Sequence, residues 1–403
     1  MTAQASTAGT LAPLQPIIVR DGRGFDLGSK ARSLAWPYPS VTAGCLRSLA
    51  GRQGRGADAL AALKALNVRG PFPWDGRVLY FPAPVDVQPA TDASGRRFHR
   101  LVPPEAAFGD AASTGSEWMR WIGRWFDRRS DDTRAARDPR PATLATPQIA
   151  HLDKVSAGPA WWSSADYERW QLPDGERDIA IGESPPFAHG FPTATRTHAK
   201  IDASSGRSEH VFQTAGLDFS PARPQTEPIG IAVDVRGDPA CIEALAQPTM
   251  TTLGGERRAA WWERSGAVQS ALAMQQINLR LNAWWKGRRG RRRLRAVLVT
   301  PAYFRTGWWP DWIDADSHSG TLPHADLPLT LVAAASRRWT GVSGWDMETH
   351  SPKPMRRLVP AGSVFYFETD ATSIDFNKIS LTSICSDEAS RRDGFGLVLW
   401  GVD

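Results

Sequence analysis

Short apolar runs, each bounded by glycine, proline or polar turn residues, recur along the chain and predict β-strands. The first is Pro16–Arg20, which ends at the turn Asp21-Gly22-Arg23-Gly24, and the second is Val78–Phe81. The pattern weakens over residues 151–228, where proline, glycine and serine interrupt it, and then returns. The later predicted strands are Ile229–Val235, Leu294–Thr300, Leu329–Ala335, Val364–Glu368 and Gly396–Trp400.

Apolar residues at helical spacing predict helices in four places. A helix over Val41–Ala50 should begin after the N-cap Ser40 and stop at Gly51. The other helical segments are Ala57–Leu66, Ser116–Arg129 and Ala267–Trp285. This order of elements favours an α+β fold with two small antiparallel sheets over a doubly wound parallel sheet.

The length of 403 residues is enough for two domains of ordinary size. We expect an N-terminal part over residues 1–129, a linker and insertion over residues 130–228, and a C-terminal part over residues 229–403. The segment Ser130–Pro147 is charged, rich in proline and without periodicity, which is typical of a linker or a disordered loop.

The apolar runs and the cysteines indicate the cellular compartment of the protein. No run reaches the roughly 20 apolar residues that a membrane span needs, and the N-terminus has no signal-peptide pattern. Cys45, Cys241 and Cys385 lie too far apart in sequence for a disulfide framework or a CxxC metal knuckle. We therefore expect a cytoplasmic protein with no membrane association.

Basic residues are concentrated towards the two ends of the chain. The net charge is +6, with about +7 over residues 1–150, −6 over 151–250 and +5 over 251–403. Of the 48 basic residues, 41 are arginine. Arginine matches phosphate geometry and stacks on bases, so this bias suits nucleic acid, although a GC-rich genome would also produce it. An anionic ligand should prefer the two ends, and the acidic middle is free to meet a protein.

The start of the helix after Pro39 is a candidate anion site. Helix N-termini present unpaired N–H groups, and small or hydroxyl side chains there let phosphate approach. The candidate residues are Ser40, Thr42, Gly44 and Arg47. An ordinary capped helix with a packing glycine would show the same pattern.

The segment Leu253-Gly254-Gly255-Glu256-Arg257-Arg258 is a second candidate. Two glycines permit close backbone approach to a ligand, and Arg257 and Arg258 follow at once. A turn with solvated charges is the alternative. The run Lys286–Arg295 holds seven cations in ten residues and should act as a flexible surface loop that binds any polyanion without selectivity.

Glycine-rich turns beside cations recur near the C-terminus. They include Lys353, Arg356 and Arg357 in one series of turns, and Gly394, Phe395 and Gly396 before the last strand. Such loops suit single-stranded RNA, whose bases stack on flat side chains and whose phosphates meet backbone N–H groups.

Signals for catalysis are weak. Acidic and histidine residues cluster in one segment that could bind a cation, although a solvated loop is favoured: Asp311, Asp314, Asp316, His318, His324 and Asp326. The chain has no GxSxG elbow, no P-loop and no dinucleotide fingerprint. We therefore expect no catalytic residues, no cofactor and no metal.

Taken together, the motifs resemble one family, the RAMP-superfamily subunit of the type III-B CRISPR (Cmr) effector that caps the 5′ handle of the guide RNA. In the family the motif before the first helix reads Pro-Ser-Pro-Ser-Thr, from which Tyr38 and Val41 depart. The stretches that carry the resemblance are Pro16–Gly24, Pro37–Arg47, Gly70–Asp86, Leu253–Ala259, Leu298–Pro310, Gly341–Phe367 and Asp393–Gly401.

The resemblance implies two ferredoxin-like (RRM-like) domains with large insertions and no catalysis by this subunit. The implied partners are the guide RNA, the large polymerase-like subunit and a neighbouring backbone RAMP subunit. RNA contact is expected at Arg20, Ser40, Thr42, Gly44, Arg47, Gly254, Gly255, Arg257, Arg258, Lys353, Arg356, Arg357, Gly394, Phe395 and Gly396. Two alternatives stay open: a RAMP-type endoribonuclease that processes guide RNA, and a scaffold subunit that binds mainly protein.

Overall fold

The computed structural model describes residues 5–20, 33–52, 57–92, 95–100, 158–172, 178–179, 187, 189–202, 204–220, 229–286, 288, 290–346 and 349–402. The predicted helix Ser116–Arg129 and the predicted linker Ser130–Pro147 lie outside these ranges. The strands are β1 (Ala5–Pro13), β2 (Asn67–Trp74), β3 (Tyr80–Pro82), β4 (Val87–Asp92), β5 (Gly95–Arg100), β6 (Trp161–Ser163), β7 (Asp178–Ile179), β8 (Thr193–Ile201), β9 (Ser208–Leu217), β10 (Gly230–Gly237), β11 (Thr249–Leu253), β12 (Arg258–Arg264), β13 (Arg292–Leu298), β14 (Ser319–Thr321), β15 (Pro328–Ala335), β16 (Thr340–Val342), β17 (Trp345–Asp346), β18 (Ser351–Pro352), β19 (Arg356–Leu358), β20 (Val364–Thr369), β21 (Thr382–Ser383) and β22 (Leu397–Val402). The helices are α1 (Pro39–Ala50), α2 (Ala57–Ala65), α3 (Ser164–Gln171), α4 (Pro239–Glu243), α5 (Gly266–Leu272), α6 (Gln275–Trp285), α7 (Phe376–Ile379) and α8 (Glu388–Asp393).

Two antiparallel sheets organise the chain. The first has the order β11-β12-β1-β10-β2 and the second the order β14-β15-β20-β13-β22-β21. Every ladder between strands of the described ranges is antiparallel, which confirms the α+β class with antiparallel sheets. The first sheet takes β1 and β2 from residues 1–129 and its other three strands from residues 229–403, so pairing joins these two parts of the sequence.

The start of the first sheet differs from the prediction. The first strand is β1 rather than Pro16–Arg20, and Ile17 and Ile18 form only isolated bridges, to Leu217 and Gly255. Strand β1 is rich in small residues because it lies at the centre of the sheet. A Cβ on Gly9 would come within 2.2 Å of Glu263 O, so its neighbours require glycine there. Small residues in a strand carry little local signal.

The C-terminal elements follow their prediction closely. Strands β10, β13, β15, β20 and β22 are present with ends within two residues of the predicted ones. The helical segment Ala267–Trp285 is two helices, α5 and α6, because Met274 between them adopts a left-handed backbone with φ of 50°.

The buried hydrophobic residues of the described ranges form two clusters, one around the first sheet and a larger one that joins the second sheet to Phe72, Trp74 and Ala232 of the first. Helix α1 packs on β2 and β11 of the first sheet, where Leu46 and Leu49 belong to the same buried cluster as Val233 and Trp262. Helices α5 and α6 contribute to the larger cluster of the second sheet. Among the helices of the described ranges, none has both the length and the apolar character needed to span a bilayer.

A fully buried ion pair joins the second sheet to the segment after β3. Arg295 of β13 is doubly bonded to Asp86, with Nη2 donating to Oδ1 at 2.9 Å, and Tyr366 donates to Asp86 at 2.7 Å. Arg295 also donates to Gln171, whose amide donates to Leu399 O at 3.1 Å. Burial lowers the pKa of Arg295, but the charge and hydrogen bond of Asp86, together with Tyr366 and Tyr167, outweigh burial and raise the pKa overall, so the guanidinium stays charged.

Candidate nucleic-acid interface

Helix α1 begins at Pro39, two residues earlier than predicted. Tyr38 is the N-cap, and Pro39 follows within the first turn, where its missing N–H loses no hydrogen bond. Ser40 is therefore a half-buried residue of the first turn and not the cap. Thr42 is buried, and its hydroxyl donates to Pro39 O at 2.9 Å. The expected contact between Thr42 and RNA is wrong for this reason.

Arg47 binds within its own chain. Its Nη1 forms an ion pair with Asp393 at 2.5 Å, while Nε and Nη2 each donate to a carbonyl, Leu63 O and Leu66 O, at 3.1 Å. These bonds use all three guanidinium nitrogens, so Arg47 ties α1 to α8 and to the end of α2. These internal bonds disfavour a role as a phosphate contact, which stays a prediction for the partly exposed side chain.

Gly44 keeps the exposed character that the prediction requires. Nothing lies within 4 Å of the position that a Cβ on Gly44 would take. A glycine inside a helix costs roughly 0.5–1 kcal/mol relative to alanine. No packing among the described residues accounts for this glycine, and its open surface allows a ligand close to the helix backbone.

Tyr38 connects three of the predicted segments. Its hydroxyl donates to Gly341 O at 3.1 Å, so the start of α1 lies beside β16. Its ring centroid is 6.3 Å from that of Phe395. The start of α1, the β16–β19 pair and the segment before β22 are therefore neighbours, although about 300 residues separate the first from the others.

The glycines before β22 fit against protein and not against a ligand. A Cβ on Gly394, whose φ is 94°, would lie 2.5 Å from Val68 O, and one on Gly396 would lie 2.6 Å from Cys385 Sγ. Phe395 between them is fully buried. The expected RNA contact at Gly394, Phe395 and Gly396 is corrected, because these residues pack the end of α8 onto β2 and onto the second sheet.

The β16–β19 pair has an inner and an outer face. Arg356 points inwards, where Nη1 donates to Ser390 Oγ at 3.0 Å and the guanidinium lies 4.7 Å from the Tyr303 ring. Arg357 points outwards and is exposed, and Lys353 is exposed in the preceding turn. Of the three predicted cations, Arg357 and Lys353 are therefore accessible, and Arg356 anchors the pair.

The loop between β11 and β12 binds the chain's own backbone. Gly255 N donates to Ile18 O at 2.7 Å, and a Cβ on Gly254 would lie 2.6 Å from the same oxygen. The two glycines thus allow the backbone of the chain's own segment after β1, at Ile18, to lie close to this loop. Arg258 is buried and pairs with Glu256 at 2.5 Å, whereas Arg257 is exposed with φ of 49°. Arg257 is the cation of this loop that a ligand can reach.

Arg20 lies at the end of the described N-terminal segment. It is exposed and forms an isolated bridge with Ser33. It stays a candidate contact.

The basic run is largely part of the fold. Strand β13 begins at Arg292, which is buried with its guanidinium 3.9 Å from the Trp285 ring. Arg295 is the buried partner of Asp86, and Arg291 and Arg293 both pair with Glu368. The prediction of one flexible loop over Lys286–Arg295 is wrong, because the last four residues of the run, Arg292–Arg295, belong to the central strand β13 and three of them are buried.

A family model for "CRISPR-associated protein (Cas_Cmr3)" matches residues 10–403. The chain belongs to this Cas_Cmr3 family. The match confirms the resemblance to a Cmr subunit that the motifs indicate. No protein of curated function matches the sequence.

Two solved structures are similar to the Cas_Cmr3 chain in their overall course. One is a cryo-EM structure of the type III-B Cmr-beta bound to cognate target RNA and AMPPnP, with 12% identity over 89% of this chain and 86% of that chain, at a TM-score of 0.42. The other is the type III-B Cmr-beta bound to cognate target RNA, with 14% identity over the same shares and the same TM-score. Membership of the family rests on the sequence match and not on these two likenesses.

The acidic and histidine segment of this Cas_Cmr3 chain makes internal contacts. Asp311 pairs with Arg305 at 2.7 Å, and Asp314 accepts from Ser317, which holds the pKa of Asp314 below its usual range. His318 packs its ring against Trp309. Within the described ranges, no group of three acidic, histidine or cysteine residues is arranged to hold a metal ion.

The three cysteines are buried. Burial raises the pKa of Cys385 to about 12 and also raises the pKa of Cys45 and Cys241. These thiols are therefore neutral at physiological pH and poorly suited to nucleophilic or metal chemistry.

The motif analysis missed two exposed apolar residues beside Arg357. Trp339 is 42% exposed and Met355 is 55% exposed, and both lie next to the β16–β19 pair. Their signal in the sequence is a tryptophan directly after Arg337 and Arg338, and a methionine directly before Arg356 and Arg357. Besides Arg47 and Arg356, which are bonded within the chain, the predicted residues that are exposed or half-buried on the outside of the chain are thus Arg20, Ser40, Gly44, Gly254, Gly255, Arg257, Lys353 and Arg357, and the structure adds Trp339, Met355 and Arg338.

Proposed function

We propose that this chain is the non-catalytic RNA-binding subunit of a type III-B CRISPR effector complex, in which it holds the 5′ repeat-derived handle of the guide RNA and docks to the large polymerase-like subunit. Membership of the Cas_Cmr3 family supports a role in such a complex. The two similar structures are Cmr assemblies bound to target RNA, which agrees with it. The two antiparallel sheets, each packed against helices, support two ferredoxin-like domains.

One observation carries the proposal, the hydrogen bond from Tyr38 to Gly341 O. It brings the start of α1, the helix that carries the open surface at Gly44, next to the β16–β19 pair that carries the exposed Arg357. An open backbone surface near an exposed guanidinium suits a phosphate chain, because the backbone admits close approach and the cation attracts charge.

A salt-titrated binding assay with the assembled complex tests the proposal. Handle RNA should bind more tightly than a scrambled RNA of equal length, and Arg357→Ala should reduce this preference by about 1–3 kcal/mol if the contact is bidentate. Arg280→Ala is the matched control, since Arg280 is an exposed arginine on α6 whose partner is Glu168 of α3. Equal affinity of the wild-type complex for both RNAs would contradict the proposal and favour a scaffold that binds mainly protein.

The absence of catalysis is tested separately. Repeat RNA incubated with the purified protein and magnesium or manganese should stay intact. Cleavage that disappears in His318→Ala or His324→Ala would support the endoribonuclease alternative instead.

A further inference from the structure

The outer face of the β16–β19 pair carries an exposed indole among cations. Gly341 and Arg357 lie directly opposite each other in the ladder, and Trp339 and Met355 precede them by two residues each. Trp339 and Met355 lie directly before β16 and β19, and the side chains of both come within 4 Å of the position that a Cβ on Gly341 would take. Trp339, Gly341, Met355 and Arg357 therefore form one surface, which we name the Trp339 platform.

Gly341 lies at the centre of the Trp339 platform, between the side chains of Met355 and Trp339. A Cβ at Gly341 would lie 3.6 Å from Met355 Sδ and 3.7 Å from Trp339 Cζ3, so both side chains flank the bare backbone. The guanidinium of Arg357 lies 4.9 Å from the Trp339 ring centroid, and that of Arg338 lies 5.9 Å from it. The indole is thus held beside two positive charges and still exposed by 42%.

The platform rests on a fixed support. Val342 and Leu358 are buried on the inner face of the pair, and Arg356 is held there by Ser390 and Tyr303. Tyr38 binds the Gly341 carbonyl from the start of α1. Because strand, helix and inner arginine hold the backbone, the outer side chains present a preformed surface.

The charge of the platform identifies the class of its ligand. Arg338, Lys353 and Arg357 are exposed, and none of them forms an ion pair with a carboxylate of the described residues. A flat aromatic ring beside cations that pair with no carboxylate of the described residues suits a ligand that is both aromatic and anionic. An unpaired nucleotide has both properties, since its base stacks and its phosphate pairs with arginine.

We propose that the Trp339 platform stacks one unpaired base of the bound RNA, with Arg357 or Arg338 on the adjacent phosphate. This inference rests on the proposed RNA-binding function and adds the residue that receives a base. Stacking on an aromatic side chain tolerates any base, so the platform should position the strand more than it reads its sequence.

The test uses the full chain and handle RNAs in which 2-aminopurine replaces one unpaired base at a time. One position should show a fluorescence change on binding that Trp339→Phe keeps and Trp339→Ala loses. Trp339→Ala should also weaken binding by about 5- to 150-fold, as expected for the loss of one base–aromatic stack. Trp261→Ala is the matched control, because Trp261 is 38% exposed but lies on β12 of the first sheet.

The outcomes separate this inference from the proposed function. If no labelled position responds to Trp339→Ala and affinity is unchanged, the stacking role is wrong even where handle preference is present. If Trp339→Ala instead blocks co-assembly with protein subunits and leaves RNA binding intact, the platform is a protein-docking surface and the inference is overturned. If handle and scrambled RNA bind equally but one labelled position still depends on Trp339, stacking holds and specific handle binding fails.

Discussion

Arg47 of α1 and Asp393 at the end of α8 form an ion pair of 2.5 Å, although 346 residues separate them. The pair is only partly accessible, and Arg47 also holds the carbonyls of Leu63 and Leu66. The sequence of α1 predicts an RNA-binding element. In the structure, the arginine of this helix joins the N-terminal part of the chain to the C-terminal part.

Arg47→Ala should lower the free energy of unfolding by about 2–3 kcal/mol, because it leaves a shielded carboxylate and two carbonyls without their donor. Arg47→Lys should recover part of the loss, since an ammonium cannot serve three acceptors in a fork. Urea unfolding measures both, and Arg392→Ala, which breaks an exposed helical pair with Glu388, should cost well under 1 kcal/mol. If Arg47→Ala instead has wild-type stability and weaker RNA binding, the result would support the direct contact between Arg47 and phosphate that the sequence predicts.

Arg257 and Arg258 are adjacent but should respond to mutation in opposite ways. Arg258→Ala should destabilise the protein, because Arg258 is buried and leaves Glu256 unpaired. Arg257→Ala should keep the wild-type stability and weaken RNA binding, because its side chain is exposed on the loop. Thermal unfolding and RNA titration of the two variants in parallel check this. The same loss of RNA affinity in both variants, without a stability difference, would contradict the assignment.

Within the basic run Lys286–Arg295, substitutions should likewise affect either stability or RNA binding, according to whether the side chain is buried or exposed. Arg295→Met should cost on the order of 3–5 kcal/mol, because the buried Asp86 carboxylate then has no cation to balance its charge. The double variant Asp86→Leu with Arg295→Met should recover stability. Arg288→Ala should leave the fold intact and flatten the salt dependence of binding by about 0.7 per lost phosphate contact on single strands. A stable Arg295→Met protein would show that the buried pair is dispensable.

Cys385 should make stability fall at alkaline pH. Its pKa is about 12 in the folded chain, above that of an unfolded thiol near 8.5, so above pH 9 the unfolded state loses a proton that the native state keeps. The contribution of the neutral Cys385 thiol to the free energy of unfolding is complete below pH 8. It is lost as the pH rises towards 12, by at most about 1.4 kcal/mol per pH unit. The free energies of unfolding of wild type and Cys385→Ala should therefore differ at pH 7 and approach each other as the pH rises to 11. Parallel curves would exclude a buried neutral thiol.

The sequence by itself determined the class of the fold, the family and most C-terminal elements. Strands such as Val364–Thr369 are buried apolar runs between turns, and helix α1 has Pro39 at its start and Gly51 at its end. These signals are local, because they depend on neighbouring residues and on backbone preferences. Strand β1, built of small residues, carries no such signal, since its place depends on the two strands that flank it.

Only the tertiary structure decided which arginines face solvent. Arg258, Arg292 and Arg295 are buried, and the half-buried Arg47 and Arg356 are bonded within the chain, while Arg257 and Arg357 directly beside two of these five are exposed. An arginine becomes internal when a carboxylate or carbonyl meets it, and for Arg47 and Arg295 those carboxylates lie 346 and 209 residues away. Composition therefore predicts a basic protein, and the distant partners decide which of its charges a ligand can reach.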